Sequence, residues 1–345
     1  MKAWRVFEHG GPEVLRFEES ARIPEPGPGE ARVKVLATAL NHLDLWVRRG
    51  VPGHTFPLPL TPGCDVSGLV DQLGAGVQGW GAGDPVLIAP GIGCGRCPRC
   101  LEGRDNLCRR FGILGESRDG GCADMVVVPA SHLIPHPDNL SPEEGAAVPL
   151  VLQTAWHMLV NRAALQAGEW VLVQAGASGV GSMAIQIAKL WGAQVIATVA
   201  TPSKADRVRE LGAVEVIVST EQNVRKEIRR ITGGGVDIVL DHLGGVGFIE
   251  SLSCLNLGGR LVNCGATIDP KIELDLRHLF FKNLQILGST MGTRGEIERG
   301  IDLVRKGFLH PVVDRVFPME ELPEAHRYLE ERRAVGKVVL KGFKI

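Results

Sequence analysis

Short apolar segments and amphipathic segments alternate between residues 170 and 287, and this alternation constrains the fold more than any other feature of the sequence. The apolar segments are continuous hydrophobic runs, as expected for strands of a parallel sheet that helices cover on both faces. The alternating segments, each a predicted strand or helix, are 170–174, 180–191, 194–200, 203–211, 215–218, 224–231, 236–240, 247–255, 260–264 and 284–287. The series predicts an α/β fold with a doubly wound parallel sheet of about six strands.

The loop after the first of these strands has the pattern of a dinucleotide-binding site. It reads A-G-A-S-G-V-G over residues 175–181, with a predicted strand before it and a predicted helix after it. A glycine allows the backbone to approach a pyrophosphate, because a Cβ atom would collide with it. An ordinary tight turn between strand and helix is the alternative interpretation. The predicted cofactor-binding residues of this loop are Gly176, Ser178, Gly179, Val180 and Gly181.

The end of the second strand in the series indicates which nicotinamide cofactor is preferred. Enzymes that bind NAD place a carboxylate there, to bond the ribose hydroxyls. This chain reads T-V-A-T-P-S-K over residues 198–204, with no acidic residue. Thr201, Lys204 and Arg207 instead suit the 2′-phosphate of NADP, so we predict NADP as the preferred cofactor and NAD as the alternative. The competing interpretation of Lys204 and Arg207 is a solvated helix face.

Four cysteines form the second motif of the chain. Cys94, Cys97, Cys100 and Cys108 follow a C-x2-C-x2-C-x7-C spacing, with glycine and proline between them. Four thiolates without an open ligand position are typical of structural zinc, and we predict one structural zinc ion here. Disulfide pairing, an iron–sulfur cluster, and a site that keeps its ligands but binds no metal are the alternatives. Cysteines so close in sequence rarely satisfy disulfide geometry, and the last gap differs from that of a ferredoxin.

The remaining sequence indicates a second, β-rich region. Short predicted strands cover residues 31–37, 66–72 and 85–88, and Pro-Gly and Gly-Ala-Gly turns separate them. After residue 291 a predicted helix, 296–306, precedes a predicted strand, 337–341. We infer that this tail returns to the first region, which leaves the sheet domain as an insertion.

Length, charge and hydropathy exclude several classes of protein. The 345 residues suffice for about two domains, and the formal net charge of -1 offers no basic surface for nucleic acid. No apolar run reaches the roughly 18 residues that a membrane span requires, and the charged start does not resemble a signal peptide. We therefore expect a cytoplasmic protein that acts on a small-molecule substrate, without nucleic-acid or membrane partners.

Together these features resemble the medium-chain dehydrogenase/reductase superfamily, between zinc-containing alcohol dehydrogenases and quinone oxidoreductases. The segments 83–86, 237–245 and 288–290 are also similar to family landmarks. The resemblance implies a GroES-like β-barrel catalytic domain formed by residues 1–152 and 291–345, with the cysteine lobe at 93–109. It implies a Rossmann dinucleotide-binding domain over residues 153–290 and an active site in the cleft between the two domains. It also implies a homodimer or homotetramer.

The chain departs from the pattern of zinc alcohol dehydrogenases where those enzymes hold a catalytic ion. The matching positions read Asn41-His42-Leu43-Asp44 and Gly63-Cys64-Asp65, and no cysteine lies between residues 148 and 154. Asparagine is a poor zinc ligand, so the usual three-ligand site cannot be assembled. An ion held by His42, Cys64 and Asp65 in an altered geometry is the alternative.

Quinone oxidoreductases also have an asparagine at the position that matches Asn41. This similarity predicts hydride transfer without catalytic zinc. Asn41 or a main-chain N–H would then stabilise negative charge on the substrate oxygen. By resemblance His42 lies near the cofactor phosphates and Asp44 supports the active site. Gln153 follows the crossover between the domains and is expected near the nicotinamide, with helix packing as its alternative role. Simple structural roles are the alternatives: hydrogen bonds within the barrel for His42 and Asp44, and apolar packing for Cys64.

The predicted function is therefore that of an NAD(P)H-dependent oxidoreductase that transfers hydride between nicotinamide and a carbonyl compound or quinone. Two alternatives stay open. One is a zinc-containing alcohol dehydrogenase with atypical catalytic ligands, and the other is a cofactor-binding protein without turnover.

Overall fold

The computed structural model describes residues 1–344, which divide into two compact units. The first unit comprises Met1–Leu150, Thr293–Gly307 and the described chain from Pro311 onwards, and the second comprises Val151–Gly292 and Phe308–His310. The strands are β1 (Ala3–Val6), β2 (Leu15–Glu18), β3 (Glu30–Leu40), β4 (Asp65–Leu73), β5 (Pro85–Ile88), β6 (Gly91–Ile92), β7 (Gly112–Ile113), β8 (Met125–Pro129), β9 (Leu133–Pro135), β10 (Trp170–Val173), β11 (Gln194–Val199), β12 (Glu215–Val218), β13 (Val236–Asp241), β14 (Leu255–Asn263), β15 (Gln285–Gly288), β16 (Val313–Pro318) and β17 (Lys337–Lys341). The α-helices are α1 (His42–Arg49), α2 (Pro98–Leu101), α3 (Pro142–Ala146), α4 (Pro149–Trp156), α5 (Gly179–Leu190), α6 (Ala205–Glu210), α7 (Val224–Thr232), α8 (Gly245–Ser253), α9 (Leu276–Phe281), α10 (Arg294–Arg305) and α11 (Leu322–Glu330).

The first unit is organised around the long strand β3, which pairs in antiparallel fashion with β17, β4 and β8. Its main sheet has the order β16-β17-β3-β4-β5-β9, with β8 also on β3. Within residues 1–344 these pairings form an open path of strands rather than a closed barrel. Every second residue along the first part of β3 is buried, and all residues from Ala37 to Leu40 are buried. The carboxyl end of β3 therefore enters the interior of the unit.

The second unit contains a six-stranded parallel sheet with the order β12-β11-β10-β13-β14-β15. This is the order of a doubly wound dinucleotide-binding fold, in which the chain reverses direction across the sheet between β10 and β13. Three aliphatic residues from different strands, Leu172, Ile196 and Val239, belong to its fully buried core. The predicted α/β fold class with its doubly wound parallel sheet is confirmed.

The structure differs from the sequence prediction around residue 255. A helix was expected over 247–255 and a strand over 260–264, whereas α8 ends at Ser253 and β14 begins at Leu255. The Gly258-Gly259 pair indicates a break, but the strand passes through it with a shift of register against β13. A bulge accommodates extra residues without ending the strand, which explains the error.

Candidate active site

Three strands of the first unit bring together residues that are far apart in the sequence. Because β17 and β4 both run antiparallel to β3, the carboxyl end of β3 lies beside the first residues of both neighbours. Asn41 directly follows β3, Asp65 is the first residue of β4, and Lys337 is the first residue of β17. Their exposed fractions are 8%, 0% and 3%. Together with Asp44 and Cys64 they form a buried polar cluster, which we call the Asn41 pocket.

Asn41 lies at the centre of this pocket, and its hydrogen bonds define the orientation of its amide. Its Nδ2 donates to Asp65 Oδ2 at 2.8 Å and to Cys64 Sγ at 3.1 Å. Its Oδ1 accepts from Lys337 Nζ at 2.5 Å, and the same ammonium donates to Asp65 Oδ2 at 2.9 Å. An ammonium has only donors, so the amide oxygen must face Lys337 and the amide nitrogen must face Asp65.

Asp44 supports the pocket from the first turn of α1. Its two carboxylate oxygens accept from the backbone N–H of Asn41 at 2.7 Å and of Gly63 at 2.8 Å. Gly63 has φ +101°, and a Cβ atom there would lie 2.9 Å from atoms of Cys122, so this turn requires glycine. Burial raises the pKa of Asp44 to about 6, although both hydrogen bonds and the charge of Lys337 act in the opposite direction.

Cys64 and His42 occupy different positions relative to this network. Cys64 is fully buried, and burial raises the pKa of its thiol well above the usual value, so it is a neutral thiol near pH 7. His42 is the first residue of α1 and is half-buried. The structure thus brings Asn41, Asp44 and Cys64 together with Asp65, while His42 stands at the adjoining helix start.

Lys337 is the residue of this pocket that sequence reasoning missed. It was recognised only as the beginning of a predicted strand, and it lies 272 positions after Asp65. One signal was available, since a lysine opens the otherwise apolar segment V-V-L in a strand expected to return to the first domain. A lysine in a buried strand needs a partner, but the sequence does not reveal which one.

The glycine-rich loop of the second unit has the geometry that a dinucleotide requires. Ser178 is the N-cap of α5, and its Oγ accepts from the backbone N–H of Gly181 at 3.0 Å. A Cβ atom on Gly181 would lie 2.5 Å from the carbonyl oxygen of Ala175, so only glycine lets the helix start so close to the loop. Gly179 and Val180 begin the twelve-residue helix α5, whose amino end favours a phosphate group. The residues 176–181 therefore fit the pyrophosphate of a dinucleotide cofactor.

The residues predicted to select the cofactor lie just after β11. Thr201 and Arg207 are exposed and Lys204 is half-buried, where a short 3₁₀-helix passes into α6. Thr201 Oγ1 lies 3.2 Å from Ser203 Oγ. Gln153, on α4, donates from Nε2 to the carbonyl oxygen of Gly292 at 2.9 Å. Thr201, Lys204 and Arg207 thus form a polar surface at the carboxyl end of β11, where a Rossmann fold binds the adenosine ribose.

His242 lies near the glycine-rich loop, and the sequence alone did not identify it as a candidate site residue. It follows β13, and its Nε2 lies 3.2 Å from Ser178 Oγ. Burial lowers the pKa of the imidazole to about 4, so the ring is neutral at pH 7. Since Ser178 Oγ already accepts from Gly181, its hydroxyl hydrogen is available to donate to this neutral ring.

The four predicted metal-binding cysteines lie together in the first unit. The sulfur atoms of Cys94, Cys97, Cys100 and Cys108 all lie within 4.8 Å of one another, with 3.6 Å between Cys97 and Cys100. A tetrahedron with metal–sulfur bonds of about 2.3 Å has edges of about 3.8 Å, so the cluster fits a zinc ion. Within residues 1–344 it is the one group of at least three metal-ligating side chains with this proximity.

Local backbone geometry favours thiolates in this lobe. Backbone N–H donors, chiefly that of Arg96, lower the pKa of Cys94 to about 5, and the N–H of Cys94 lowers the pKa of Cys108. Burial has the opposite effect on Cys100, whose pKa is raised to about 12. The lobe is held to the rest of its unit by Asp105, whose carboxylate accepts from the backbone N–H of Arg294 at 3.1 Å.

No helix in the described part of the chain is both long enough and apolar enough to span a membrane.

Comparison with known proteins identifies both parts of the chain. Residues 27–138 match the alcohol dehydrogenase GroES-like domain, and residues 179–306 match the zinc-binding dehydrogenase family. Human quinone oxidoreductase is 30% identical, with 99% of this chain and 97% of the relative covered.

Solved structures agree. A structure described as an NAD-dependent alcohol dehydrogenase is 48% identical, covers 99% of each chain and has a TM-score of 0.95. A 2-octenoyl-CoA carboxylase reductase in complex with NADP and 2-octenoyl-CoA is 30% identical, covers 96% of this chain and 82% of the other, and has a TM-score of 0.90. This protein therefore belongs to the medium-chain dehydrogenase/reductase superfamily and is an NAD(P)-dependent oxidoreductase.

Proposed function

We propose that the protein transfers hydride from a nicotinamide cofactor to a conjugated carbonyl compound or a quinone without a catalytic metal ion. The observation that carries this proposal is the amide of Asn41, whose Nδ2 donates to Cys64 Sγ and Asp65 Oδ2. A metal ion bound by Cys64 and Asp65 at this position would have to replace both of these hydrogen bonds from Asn41. An amide nitrogen is not a ligand that zinc prefers, and here it is hydrogen-bonded to both the thiol and the carboxylate.

The substrate class follows from the charge that develops during hydride transfer. When hydride is added to a conjugated carbonyl compound or quinone, the negative charge spreads over an enolate or hydroquinone anion. A simple ketone or aldehyde concentrates that charge on one oxygen, which demands a stronger electrophile. A pocket without a divalent ion is therefore better matched to the delocalised anion. The names of two relatives, a quinone oxidoreductase and a 2-octenoyl-CoA carboxylase reductase, agree with this class.

Alcohol oxidation is the second candidate, because the relative at 48% identity is described as an NAD-dependent alcohol dehydrogenase. Metal content and substrate range separate the two candidates. We expect one zinc ion per chain, bound by the four cysteines, and NADPH-dependent reduction of 1,4-naphthoquinone and of an enone such as 2-cyclohexenone. Two zinc ions per chain together with oxidation of a primary alcohol would contradict the proposal.

The proposed roles are divided between residues of the second unit, which bind the cofactor, and residues of the first unit. The loop 176–181 holds the cofactor diphosphate in the second unit, and Gln153 belongs to the nicotinamide side of that site. In the first unit Asp44 fixes the turn at Gly63, while Asn41 and Asp65 form the polar floor of the pocket. His42 is assigned to the cofactor phosphates. The nicotinamide supplies the hydride when bound, and these residues bind and orient the reactants.

We also propose that NADP is preferred over NAD. The support is the absence of an acidic residue in the segment 198–204, together with the position of Thr201, Lys204 and Arg207 after β11. A Lys204→Glu variant should lower the ratio of kcat/KM for NADPH to that for NADH by at least about tenfold, because a phosphate and a carboxylate repel each other. Arg209→Glu is the matched control, since Arg209 lies on α6 but pairs with Asp206. An unchanged ratio in Lys204→Glu would refute the assignment.

A homodimer formed through the second unit completes the proposal. Strand β15 lies at the edge of the parallel sheet, where its free backbone groups offer a template for a second copy. Leu276, Phe280 and Phe281 of the preceding α9 are 63%, 60% and 72% exposed, which forms an apolar surface next to this edge. Sedimentation equilibrium should show a dimer that Phe281→Lys weakens, and a monomeric wild-type protein at micromolar concentration would refute it.

A further inference from the structure

Lys337 places a positive charge inside the Asn41 pocket. Its side chain is 3% exposed, and its Nζ forms a salt bridge with Asp65, which is itself fully buried. Buried lysines are rare because removing the ammonium from water costs several kcal/mol unless partners compensate. Here the partners are one carboxylate and one amide oxygen, both at hydrogen-bond distance.

The hydrogen-bond donors of Asn41 and Lys337 differ in how many of them have an acceptor within the protein. Both amide hydrogens of Asn41 are directed at protein acceptors, Cys64 Sγ and Asp65 Oδ2. Lys337 has three N–H donors, and within residues 1–344 two acceptors are found for them, Asn41 Oδ1 and Asp65 Oδ2. Lys337 is therefore the group of this cluster that combines a positive charge with a spare donor.

We propose that Lys337 is the resident cation of the active site, which supplies the positive charge that a catalytic metal ion would otherwise supply. It acts as a positioning residue, because its ammonium fixes the Asn41 amide through Oδ1. Its charge also stabilises the negative charge that develops on the substrate oxygen in a pocket with little water to screen it. This inference rests on the proposed metal-independent hydride transfer.

A merely structural salt bridge is the competing interpretation. In that case removal of Lys337 lowers stability, and an added small cation has no specific effect on turnover. If Lys337 supplies the charge for the reaction, a small primary ammonium ion that enters the cavity of Lys337→Ala restores turnover. Lys341 provides the control, since it is the last residue of the same strand, is 70% exposed and pairs with Glu143 at the surface.

The experiment uses the full-length, zinc-loaded protein with NADPH and 1,4-naphthoquinone. Lys337→Ala should lower kcat about 100-fold, the effect typical of losing one preorganised donor, while Lys341→Ala stays within about twofold of wild type. Ethylammonium chloride should restore the Lys337→Ala rate at least tenfold and saturably. Sodium chloride and tetramethylammonium chloride, which lacks an N–H donor, should not.

Three results would overturn the inference: Lys337→Ala retaining more than a third of the wild-type kcat, no rescue of Lys337→Ala by ethylammonium, or equal activation by all three salts. If Lys337→Ala does not fold, the comparison of Lys337→Arg with Lys337→Met replaces it, with NADPH binding measured by fluorescence to show an intact cofactor site. The charged variant should then exceed the neutral one in kcat by at least tenfold, and equal rates would refute the role. Failure of the proposed function itself is seen separately, as a wild-type protein that reduces no quinone or enone.

Discussion

Two regions of the first unit gather metal-ligating or charged side chains, and they differ in where the cation comes from. The cysteine lobe brings together four sulfur atoms, whose thiolates would bind a metal ion taken up from solution. The Asn41 pocket contains its own ammonium, Lys337, at 2.5 Å from Asn41 Oδ1 and 2.9 Å from Asp65 Oδ2. The same unit thus contains one cluster of thiols that suits a metal ion and another cluster whose buried carboxylate is paired with an ammonium of the chain itself.

The two regions also differ in how the chain assembles them. The cysteines lie within fifteen consecutive residues, so a short loop with turns at Gly95 and Gly103 suffices to close the site. The Asn41 pocket takes its residues from the carboxyl end of β3 and the amino ends of β4 and β17. Its geometry therefore depends on the register of the whole sheet, whereas the lobe depends on local geometry and on the ion.

We expect the greatest change when the cysteine lobe can no longer bind zinc. Cys97→Ser should reduce the zinc content from one ion per chain to none, because three thiolates and a hydroxyl bind zinc far more weakly than four thiolates. Binding at structural zinc sites contributes on the order of 10 kcal/mol, so we expect unfolding of the lobe, seen as fast hydrogen exchange of residues 93–109.

Hydrogen exchange of β3 and the hydride-transfer rate should change little in this variant, within about threefold for kcat. Cys254→Ser serves as the control, since Cys254 is buried in the second unit outside the cluster. A variant that retains its zinc, or one that loses activity in proportion to zinc, would show that the lobe is not an independent structural site.

A smaller but still large effect is expected when the resident charge of the Asn41 pocket is removed. Lys337→Met leaves the buried carboxylate of Asp65 without its cation and should lower the free energy of unfolding by about 3–5 kcal/mol. Adding Asp65→Asn removes the uncompensated charge, so the double variant should recover most of that loss. Urea denaturation of the two single variants and the double variant measures the coupling. Additive effects would show that the two side chains do not form the compensating pair.

The contrast between local and distant assembly also explains what sequence analysis could predict. The cysteine cluster, the glycine-rich loop and the doubly wound sheet follow from short-range spacing and periodicity, and these patterns were recognisable. Asn41, Asp44, Cys64 and Asp65 were found through resemblance to family motifs. Lys337 was not, because its role depends on β17 pairing with β3 at Val338 and Leu40, a long-range register that no local pattern encodes.

Strand β16 was also missed, for a related reason. Its sequence V-D-R-V-F-P mixes charged and apolar residues, and only the pairing with β17 identifies it as a strand. The orientation of the Asn41 amide likewise required the structure, because the sequence does not show that the carboxylate of Asp65 and the ammonium of Lys337 both lie beside it. The carboxylate accepts from Nδ2, and the ammonium donates to Oδ1.

A weaker effect is expected for Asp44, whose carboxyl group is influenced by the charges of Lys337 and Asp65. Burial raises its pKa from the usual 3.8 to about 6. The carboxyl group therefore binds its proton more tightly in the folded protein than in the unfolded chain. The stability that this group contributes is present below about pH 4 and is lost as the pH rises through about 6. The Asp44→Asn variant has no carboxyl group to titrate, so it does not lose this stability. The free energy of unfolding of the variant, relative to wild type, should therefore rise between pH 4 and pH 7 by up to about 3 kcal/mol.

Urea denaturation at intervals of pH measures this difference, with the exposed Asp302→Asn as control. A difference that is flat or falls with pH would contradict the buried, protonatable carboxyl. The same titration in a Lys337→Met background tests the comparison of the two regions directly, because the charge of Lys337 lowers the pKa of Asp44. Without that ammonium the pH range of the loss should move above 6. An unchanged range would mean that the field of Lys337 does not reach the carboxyl, and the pocket would then lack the internal compensation that distinguishes it from the lobe.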